Sequence, residues 1–334
     1  MSLTVVDAAR AAVTDLGRFG QAHLGIQANG AADQLAARTA NTLVANEDEA
    51  PVVEVTGSTF TARTDRRLLV AVTGAVSAAW IDGVPMPIGA PVLTWPGAEV
   101  RLEAPRTGVH SYLAVHGELA GDRFLGSVAL DPLVGRGRRL SGGDVVEIAG
   151  SAVGEPPYIP VFRLQADLAR PASEVTLDVL PGPEADQFPD FLPALSDAVF
   201  TVGNQSDQVG TRLEGHAFVR TRTTEILSRG VPMGAVEVPP AGGVIALQRG
   251  RPMTAGYPIP AVVARSSHDA LAQLRPGDRV HLRVVTAGDS RSALLEQERR
   301  LQQLRARCTV MFDACGLFER SSTSSTRTTL PTTV

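Results

Sequence analysis

The sequence predicts a mainly β protein with few short helices and one amphipathic helix near the C-terminus. Glycine and proline (32 and 23 of 334 residues) separate short apolar or alternating segments along most of the chain. Such segments, with turn residues at their ends, are typical of β-strands. A hydrophobic content of 44% with 20% charged residues is sufficient for a globular protein that buries a core.

The predicted strands share an apolar or alternating pattern that ends in a turn signal, as in "RRLLVAVTG", "PVLTWPG", "SYLAVHG", "DVVEIAG" and "RVHLRVV". Two of these predicted strands also end sequence segments that resemble each other. "LSGGDVVEI" ends at Ile148 and "LRPGDRVHLRV" ends at Val284, and each is a Gly-Asp turn followed by alternating residues. The pair suggests a duplicated β domain, although two short matches can arise by chance.

Residues 150–173 are rich in proline and glycine and interrupt this rhythm. A domain boundary fits there, because such residues mark linkers and turns. We therefore predict an N-terminal β domain over 1–150 and a C-terminal β domain over 151–287.

Helical patterns are sparse. Over 31–46 the apolar residues share one stripe, and Asp33 can cap the start of that helix; residues 269–274 suggest a second, short helix. A third, amphipathic helix is predicted over 288–307, where we expect packing on its own domain, with an intersubunit contact as the alternative. The Ser/Thr-rich segment 308–334 is predicted to be a disordered tail.

All 31 basic residues are arginine, because the chain contains no lysine. This excludes a Schiff-base lysine, a biotinylated lysine and the lysine of a phosphate-binding loop. ATP or biotin chemistry would therefore need groups from another chain. Arginine remains able to hold carboxylates or phosphates.

Charge and targeting patterns exclude other classes of partner. The net charge is −4 with scattered basic residues, so we expect neither nucleic acid nor a membrane as partner. No apolar run is long enough to span a bilayer and the N-terminus lacks a secretory pattern, which predicts a cytoplasmic protein. The six histidines and two cysteines show no metal-ligand spacing, so no metal is expected.

The stretch "TDLGRFGQAHLGIQANGAAD" (14–33) places four glycines among Asp15, Arg18 and Asp33. Glycines permit positive φ and close backbone approach, so the stretch is either a packed hairpin or a binding loop. It lacks the Lys-Ser/Thr of a phosphate-binding loop, so a nucleotide site of that type is not indicated.

Two further polar clusters lie in the second half. "GNQSDQVGTRLEG" (203–215) carries Ser206, Asp207 and Arg212 among glycines, where a solvated turn is the alternative to a site. "GRPMTAGYP" (250–258) offers the hydroxyls of Thr254 and Tyr257 beside flexible backbone, a composition suited to gripping a small polar ligand.

Read together, these motifs resemble one family over about residues 4–286. The resemblance is carried by the glycine-rich stretch, "YLAVHG", "LPGPEADQF", "SDQVGTRLEG", "TAGYP" and "LRPGDRV". The family is the biotin-dependent carboxyltransferase-like group, also called allophanate hydrolase subunit 2 or KipA-like, and it includes the C subunit of bacterial 5-oxoprolinase. It implies two cyclophilin-like β-barrel domains.

The resemblance also implies an activity and partners. The implied activity is a hydrolase acting on a cyclic amide C–N bond, the opening of the 5-oxoproline lactam to glutamate with ATP. The implied partners are two other chains of the complex, one KipI-like and one LamB/YcsF-like. Two alternatives stay open: a urea/allophanate-type carboxyltransferase whose biotin sits on a partner, and a non-catalytic KipA-like regulatory protein.

Residue roles follow from the same resemblance. Asp15, Arg18, Asp207 and Arg212 are expected to be catalytic, and Asp33, Ser206, Thr254 and Tyr257 to bind substrate. The sequence departs from the family pattern at Gln208, Glu237, Gly250 and Arg251, which raises the question of catalytic competence.

Overall fold

The computed structural model describes residues 1–150, 153–154, 164–167, 171–195, 197–222, 225–240 and 242–318. The predicted mainly β fold with few helices and a C-terminal helix is confirmed. Within the described residues, no helix is both long and apolar enough to cross a membrane. The predicted division at residue 150 stays a prediction.

The first half is built from short strands with one helix between the second and third of them. The strands are β1 (Ser2–Ala8), β2 (Ala11–Thr14), β3 (Val52–Thr56), β4 (Phe60–Thr64), β5 (Leu69–Gly74), β6 (Ala79–Ile81), β7 (Val84–Met86), β8 (Pro91–Leu93), β9 (Glu99–Leu102), β10 (His110–Val115), β11 (Glu118–Leu119), β12 (Arg139–Leu140) and β13 (Val145–Ala149). The helix is α1 (Gln34–Leu43), within the predicted span 31–46.

These strands form two sheets, in the orders β11-β13-β1-β4-β9-β6-β7 and β12-β2-β3-β10-β5-β8. Apolar side chains from both sheets meet in one core, including Leu3, Val55, Phe60, Val72 and Leu113. We call this half the first β unit.

The second half contains β14 (Glu174–Pro181), α2 (Phe191–Ala194), β15 (Phe200–Val202), β16 (Gly210–Glu214), β17 (Arg229–Gly230), β18 (Ala235–Glu237), β19 (Val244–Leu247), β20 (Thr254–Ala255), β21 (Ala261–Val263), α3 (His268–Ala272) and β22 (Arg279–Val284). Strands β14-β21-β18-β19-β16-β15-β22 form a closed barrel. The first and last of them pair in parallel, with Leu177 opposite Leu282. We call this half the barrel unit.

Strand β5 explains why parts of the first unit are apolar on both faces. Val70 and Val72 point into the core between the sheets, whereas Leu69 and Ala71 lie in a second apolar cluster on the outer face. Alternate residues of a strand face opposite sides, so a strand covered on both sides is apolar throughout. The covering elements are α1 and the C-terminal helix.

The C-terminal helix α4 (Ala287–Cys315) starts at a capping box between Thr286 and Asp289 and ends at Gly316, whose φ is 60°. Its buried stripe is Leu301, Leu304, Cys308 and Phe312, at helical spacing. The predicted helix end at 307 and the start of the tail at 308 were wrong, because Cys308 and Phe312 continue this stripe. The part of the predicted tail from 319 to 334 lies outside the described residues.

The packing of α4 goes beyond the expectation that it covers its own domain: it contacts residues 265–267 of the barrel unit, where Gln297 Nε2 donates to Ser266 O (2.9 Å), and it also contacts the first unit. It lies against α1 and the outer cluster of the first unit. Arg38 of α1 donates two hydrogen bonds, of 2.5 and 2.7 Å, to Glu298 of α4, and Arg305 pairs with Asp48. The helix thus ties the C-terminal end of the described chain to the first unit.

Candidate functional site

The glycine-rich loop folds back on itself through two glycines. Gly17 and Gly30 have φ of +98° and +87°, and a Cβ would lie 2.5 Å from Ala28 O at the first and 2.4 Å from Leu16 C at the second. No other residue fits such close approach. By contrast, a Cβ at Gly20 or Gly25 would have nothing within 4 Å. The loop is therefore a packed hairpin at its base.

Asp15 is buried at the base of this loop, with 5% of its surface exposed. Its Oδ1 accepts hydrogen bonds from Gly17 N (2.8 Å) and Ser127 Oγ (2.5 Å), and its Oδ2 accepts one from Val128 N (2.8 Å). The carboxylate thereby joins the loop to residues 124–131.

Arg18 completes the same connection. Its Nη1 donates to Asp131 Oδ2 (3.2 Å), its Nη2 to Ala129 O (2.5 Å) and its Nε to Phe124 O (3.3 Å). The guanidinium carbon lies 5.5 Å from the centre of the Phe124 ring, a cation–π distance. We call residues 14–33 and 124–131, held by Asp15 and Arg18, the loop joint. Its geometry favours a positioning role for both side chains over contact with substrate.

Asp33 caps α1, as the sequence predicted. Its Oδ1 accepts from Ala36 N (2.9 Å) and its Oδ2 accepts from Gln273 Nε2 (2.8 Å). The pKa of Asp33 is raised to about 7 by burial and then by the nearby charge of Asp269, while the bond from Gln273 opposes the shift. Asp269 itself accepts from Gln34 N at the same helix end (2.8 Å). Two acids from different units thus meet at one helix N-terminus.

A cleft of about 720 Å³ lies between the two units. Its polar lining comes from both of them: Arg10, Asn29, Glu54, His110 and Arg139 from the first unit, and Ser206, Asp207, Gln208, Gln248, Arg249 and Arg275 from the barrel unit. A concave site with polar groups from two units is the usual setting for a small-molecule ligand.

Glu54 is the carboxylate held most firmly in this cleft. Its Oε2 accepts from Tyr112 Oη (2.8 Å) and Ala32 N (2.9 Å), and its Oε1 lies 3.6 Å from His110 Nδ1. Burial alone would raise the pKa of Glu54, but the nearby charge of His110 and the hydrogen bonds from Ala32 N and Tyr112 Oη lower it below the ordinary value. Burial, followed by the Glu54 charge, raises the pKa of Tyr112 well above 10. Glu54 is therefore ionised at neutral pH.

Arg249 is the buried cation of the cleft, with 7% of its surface exposed. Its Nε donates to Ala32 O (3.3 Å). Its Nη1 and Nη2 are buried and have no hydrogen-bond partner in the described part of the chain. Burial, and then the charge of Arg265, lower the pKa of Arg249 to about 10, so the group stays charged at neutral pH.

The predicted site residues of the second half do not all lie at the cleft. Ser206 and Asp207 line the cleft, where Asp207 Oδ1 accepts from Val209 N (2.8 Å) and Ser206 Oγ accepts from Arg212 N (2.9 Å). The side chain of Arg212 is exposed on β16 and is not part of the cleft lining.

Thr254 and Tyr257 are exposed on the segment that contains the β17–β20 ribbon, away from the cleft-lining residues. The structure thus brings Asp33, Ser206 and Asp207 to or beside the cleft, and it places the other five elsewhere. The catalytic and binding roles of all eight residues stay predictions.

Two of the departures from the family pattern touch each other at the cleft. Gly250 N donates to Gln208 O (3.0 Å), and a Cβ at Gly250 would lie 2.8 Å from that oxygen. Glu237 is buried, its Oε1 has no partner among the described residues, and burial raises its pKa. Arg251 donates from Nε to Val231 O (3.0 Å).

Sequence reasoning missed Glu54, His110 and Arg249. Glu54 is a single acid in the middle of the apolar strand "VVEVT", and Arg249 lies two residues beyond the end of the apolar strand "VIAL". That placement was the available signal, since buried charges need a specific partner. Among the described residues, no three His, Cys, Asp or Glu side chains are grouped as metal ligands would be.

Comparison with known proteins assigns the family. The family model described as carboxyltransferase domain, subdomain A and B, matches residues 24–284. The chain belongs to the carboxyltransferase domain family. The resemblance inferred from the sequence motifs is therefore confirmed.

Relatives of this carboxyltransferase-domain chain include the C subunit of 5-oxoprolinase from Escherichia coli (strain K12), which is 32% identical over 306 residues, or 87% of this chain and 94% of the relative. The corresponding Haemophilus influenzae protein, of the same name, is 28% identical over 305 residues, covering 89% and 95%. Urea amidolyase of Lachancea kluyveri is 26% identical over 318 residues, but this chain spans only 17% of that protein.

Solved structures agree with the carboxyltransferase-domain assignment. TTHA0988 is 34% identical with a TM-score of 0.73; the match covers 84% of this chain and 55% of that one, about half its length. The Kluyveromyces lactis urea amidolyase is 20% identical with a TM-score of 0.79, covering 91% of this chain and 20% of that one. At that identity the likeness concerns the fold alone.

Proposed function

We propose that this chain is the C-type subunit of an ATP-dependent 5-oxoprolinase, a cytoplasmic complex that opens the 5-oxoproline lactam to glutamate. Two relatives that it matches over most of their length carry that name. The proposed partners are a KipI-like chain and a LamB/YcsF-like chain. ATP is used in the complex, and the lysine-free chain leaves a conventional phosphate-binding lysine to a partner.

The cleft between the units is the observation that carries the proposal. Its volume of about 720 Å³ is ample for a five-membered lactam. It combines an ionised acid, Glu54, with a buried cation, Arg249. A lactam with a carboxylate substituent needs both kinds of group: an acceptor for the proton of attacking water and a donor for the carboxylate.

Glu54 is suited to the proton acceptor's role in this mechanism. Its Oε2 is held by Ala32 N and Tyr112 Oη, which fixes the carboxylate, while Oε1 keeps capacity to accept from a water in the cleft. Water attacks the lactam carbonyl carbon, Glu54 takes its proton, and the C–N bond breaks as the nitrogen gains a proton. Phosphorylation of the carbonyl oxygen by ATP would make that carbon a better electrophile; after C–N cleavage the phosphoryl group would be on the new carboxyl group, and hydrolysis of this acyl phosphate would release phosphate and glutamate.

A second candidate is a carboxyltransferase of the urea/allophanate type. It is favoured by the sequence similarity to urea amidolyase over 86% of this chain. With no lysine in the chain, the biotin would have to be carried by a partner. A purely regulatory KipA-like role is the third candidate, and the departures from the family pattern at Gln208 and Gly250 favour it.

Reconstitution tests the proposal. The chain is co-expressed with a KipI-like and a LamB/YcsF-like chain from the same organism, and glutamate and phosphate release are followed with 5-oxoproline and ATP. We expect turnover that disappears when this chain is omitted. Glu54→Gln should lower kcat at least about 100-fold, since a positioned general base contributes 10²–10⁴-fold, whereas Glu147→Gln, on the exposed face of β13, should not.

The outcomes separate the candidates. A stable complex with no glutamate release, which instead carboxylates urea from a biotinylated partner, would replace the proposal by the second candidate. Turnover that survives Glu54→Gln would keep the 5-oxoprolinase function and remove Glu54 from the mechanism.

A further inference from the structure

Arg249 carries a buried charge that the protein leaves incompletely bonded. Its Nε donates to the carbonyl oxygen of Ala32, while Nη1 and Nη2 are out of water and without a partner among the described residues. Buried donors without acceptors are costly, and a buried unpaired charge costs more than a neutral group. Such a group persists only where something else binds it.

The neighbouring carboxylates do not bond to these two nitrogens. The charges of Asp269 and Glu54 only oppose the lowering of the Arg249 pKa that burial and Arg265 cause, and neither acid makes a hydrogen bond to Nη1 or Nη2 in the described part of the chain. Glu54 Oε2 is bonded to Ala32 N and Tyr112 Oη, and Asp269 Oδ1 is bonded to the N-terminus of α1. The bonded oxygen of each acid therefore accepts from other donors, and neither acid satisfies Nη1 or Nη2 of Arg249.

The rest of the cleft favours an anion. Its lining contains four arginines (10, 139, 249 and 275) and two acids (Glu54 and Asp207). Asn29, another lining residue, has a buried Nδ2 that also lacks a partner in the described part of the chain. The unpaired groups among the cleft-lining residues are thus all donors, which matches a ligand that offers only acceptors, such as a carboxylate.

We propose that Arg249 is the anchor for the carboxylate of the small-molecule ligand in this cleft, with Asn29 as a further donor. Applied to 5-oxoproline, the inference rests on the proposed function; as a carboxylate subsite, it stands on the unpaired donors alone. Arg249 would then determine specificity, because a lactam without a carboxylate would leave its guanidinium unpaired.

Ligand binding to the chain, and to the reconstituted complex, tests the anchor by calorimetry. The probes are L-5-oxoproline, 2-pyrrolidinone (the same lactam without the carboxylate) and inorganic phosphate. We expect 5-oxoproline to bind about 10- to 100-fold more tightly than 2-pyrrolidinone, the range for a charged hydrogen bond. Arg249→Met should remove this difference, whereas Arg63→Met, an exposed arginine paired with Glu99, should keep it.

Thermal stability gives a second readout that a purely structural arginine would not produce. Without ligand, Arg249→Met should raise Tm or leave it unchanged, because an apolar side chain of similar length replaces an unpaired buried charge. With 5-oxoproline, the unmodified protein should gain Tm and the variant should not.

Three outcomes would overturn the anchor: equal binding of the two lactams by chain and complex, a large fall in Tm for Arg249→Met, or tighter binding of phosphate than of 5-oxoproline. Failure of the proposed function looks different. Carboxylate-dependent binding in a complex that releases no glutamate contradicts the 5-oxoprolinase assignment and leaves the anchor standing. Turnover that is unaffected by Arg249→Met contradicts the anchor and leaves the 5-oxoprolinase assignment standing.

Discussion

Arg18 and Arg249 are both buried guanidinium groups, but they differ in how the protein bonds them. All three nitrogens of Arg18 donate to the loop 124–131, including an ion pair with Asp131 whose side chains are 0% and 1% exposed. Arg249 has one bonded nitrogen and two without partners in the described residues. At the scale of single residues, the bonding of Arg18 indicates a structural role, whereas the bonding of Arg249 indicates a ligand-binding role.

Arg18→Ala should therefore lower the free energy of unfolding by about 3–5 kcal/mol, since removing one partner leaves the buried Asp131 unpaired. Urea denaturation measures the change. Arg212→Ala, at an exposed position, is the control and should stay within about 0.5 kcal/mol. A stable Arg18→Ala protein that has lost only its activity would instead restore the catalytic role expected from the sequence.

The sequence indicated that residues 14–33 were either a packed hairpin or a binding loop, but it could not decide between them. The partners of Asp15 and Arg18 in 124–131 lie far along the chain, at separations of 106 to 113 residues. Nothing in the local pattern encodes that pairing. The same holds for Glu54, whose neighbour His110 comes from a strand far along the chain.

At the scale of elements, the N-terminus of α1 is the place where an acidic side chain from each unit binds the same helix end. Asp33 could be predicted as its cap from residue type and position, and the structure confirms it. Asp269 accepts from the N–H groups of Gln34 and Leu35 at the same helix end, and this contact could not be predicted, because it depends on the docking of one unit on the other.

Asp33 makes the stability of the protein depend on pH. Its pKa of about 7 lies above the ordinary 3.8, because of burial and then of Asp269. Between these values the folded protein holds a proton that the unfolded chain has released, so this group makes the free energy of unfolding fall as pH rises from about 4 to 7.

Asp269→Asn should lower the pKa of Asp33, since it removes the neighbouring charge but keeps an oxygen for the N–H groups of α1. Titration of the Asp33 carboxyl carbon by NMR measures this pKa, and denaturation across the same range of about pH 4 to 7 should show a shallower fall in stability. Asp197→Asn, which lies at an exposed position, serves as the control. An unchanged Asp33 pKa would mean that burial alone sets it.

At the scale of the whole molecule, the two β units are joined by a small number of polar residues around the cleft. Gln27 donates to Gly250 O and Arg251 O, and Arg275 donates to Pro105 O and Arg106 O. The repeated Gly-Asp phrases predicted the last strand of each unit, β13 and β22, correctly. They could not predict that β22 pairs in parallel with β14 while β13 pairs antiparallel with β1, since strand pairing depends on the complete topology.

Gln273 connects the units through four hydrogen bonds. Its Oε1 accepts from Val109 N (2.8 Å) and His110 N (2.9 Å), and its Nε2 donates to Asp33 Oδ2 (2.8 Å) and His110 O (3.0 Å). The side chain is 6% exposed, so water cannot replace it without opening the interface. One amide thus connects the barrel unit to both the α1 cap and the β10 strand of the first unit.

Gln273→Ala should cost about 2–4 kcal/mol of unfolding free energy, because two backbone N–H groups and the buried Oδ2 of Asp33 lose the hydrogen bonds that Gln273 makes with them. Calorimetry should show the single transition of the unmodified protein separate into two, since each unit keeps its own core. Gln303→Ala, on the exposed face of α4, should change neither. A destabilised variant that still unfolds in one transition would mean that other contacts, such as those of Gln27 and Arg275, suffice to couple the units.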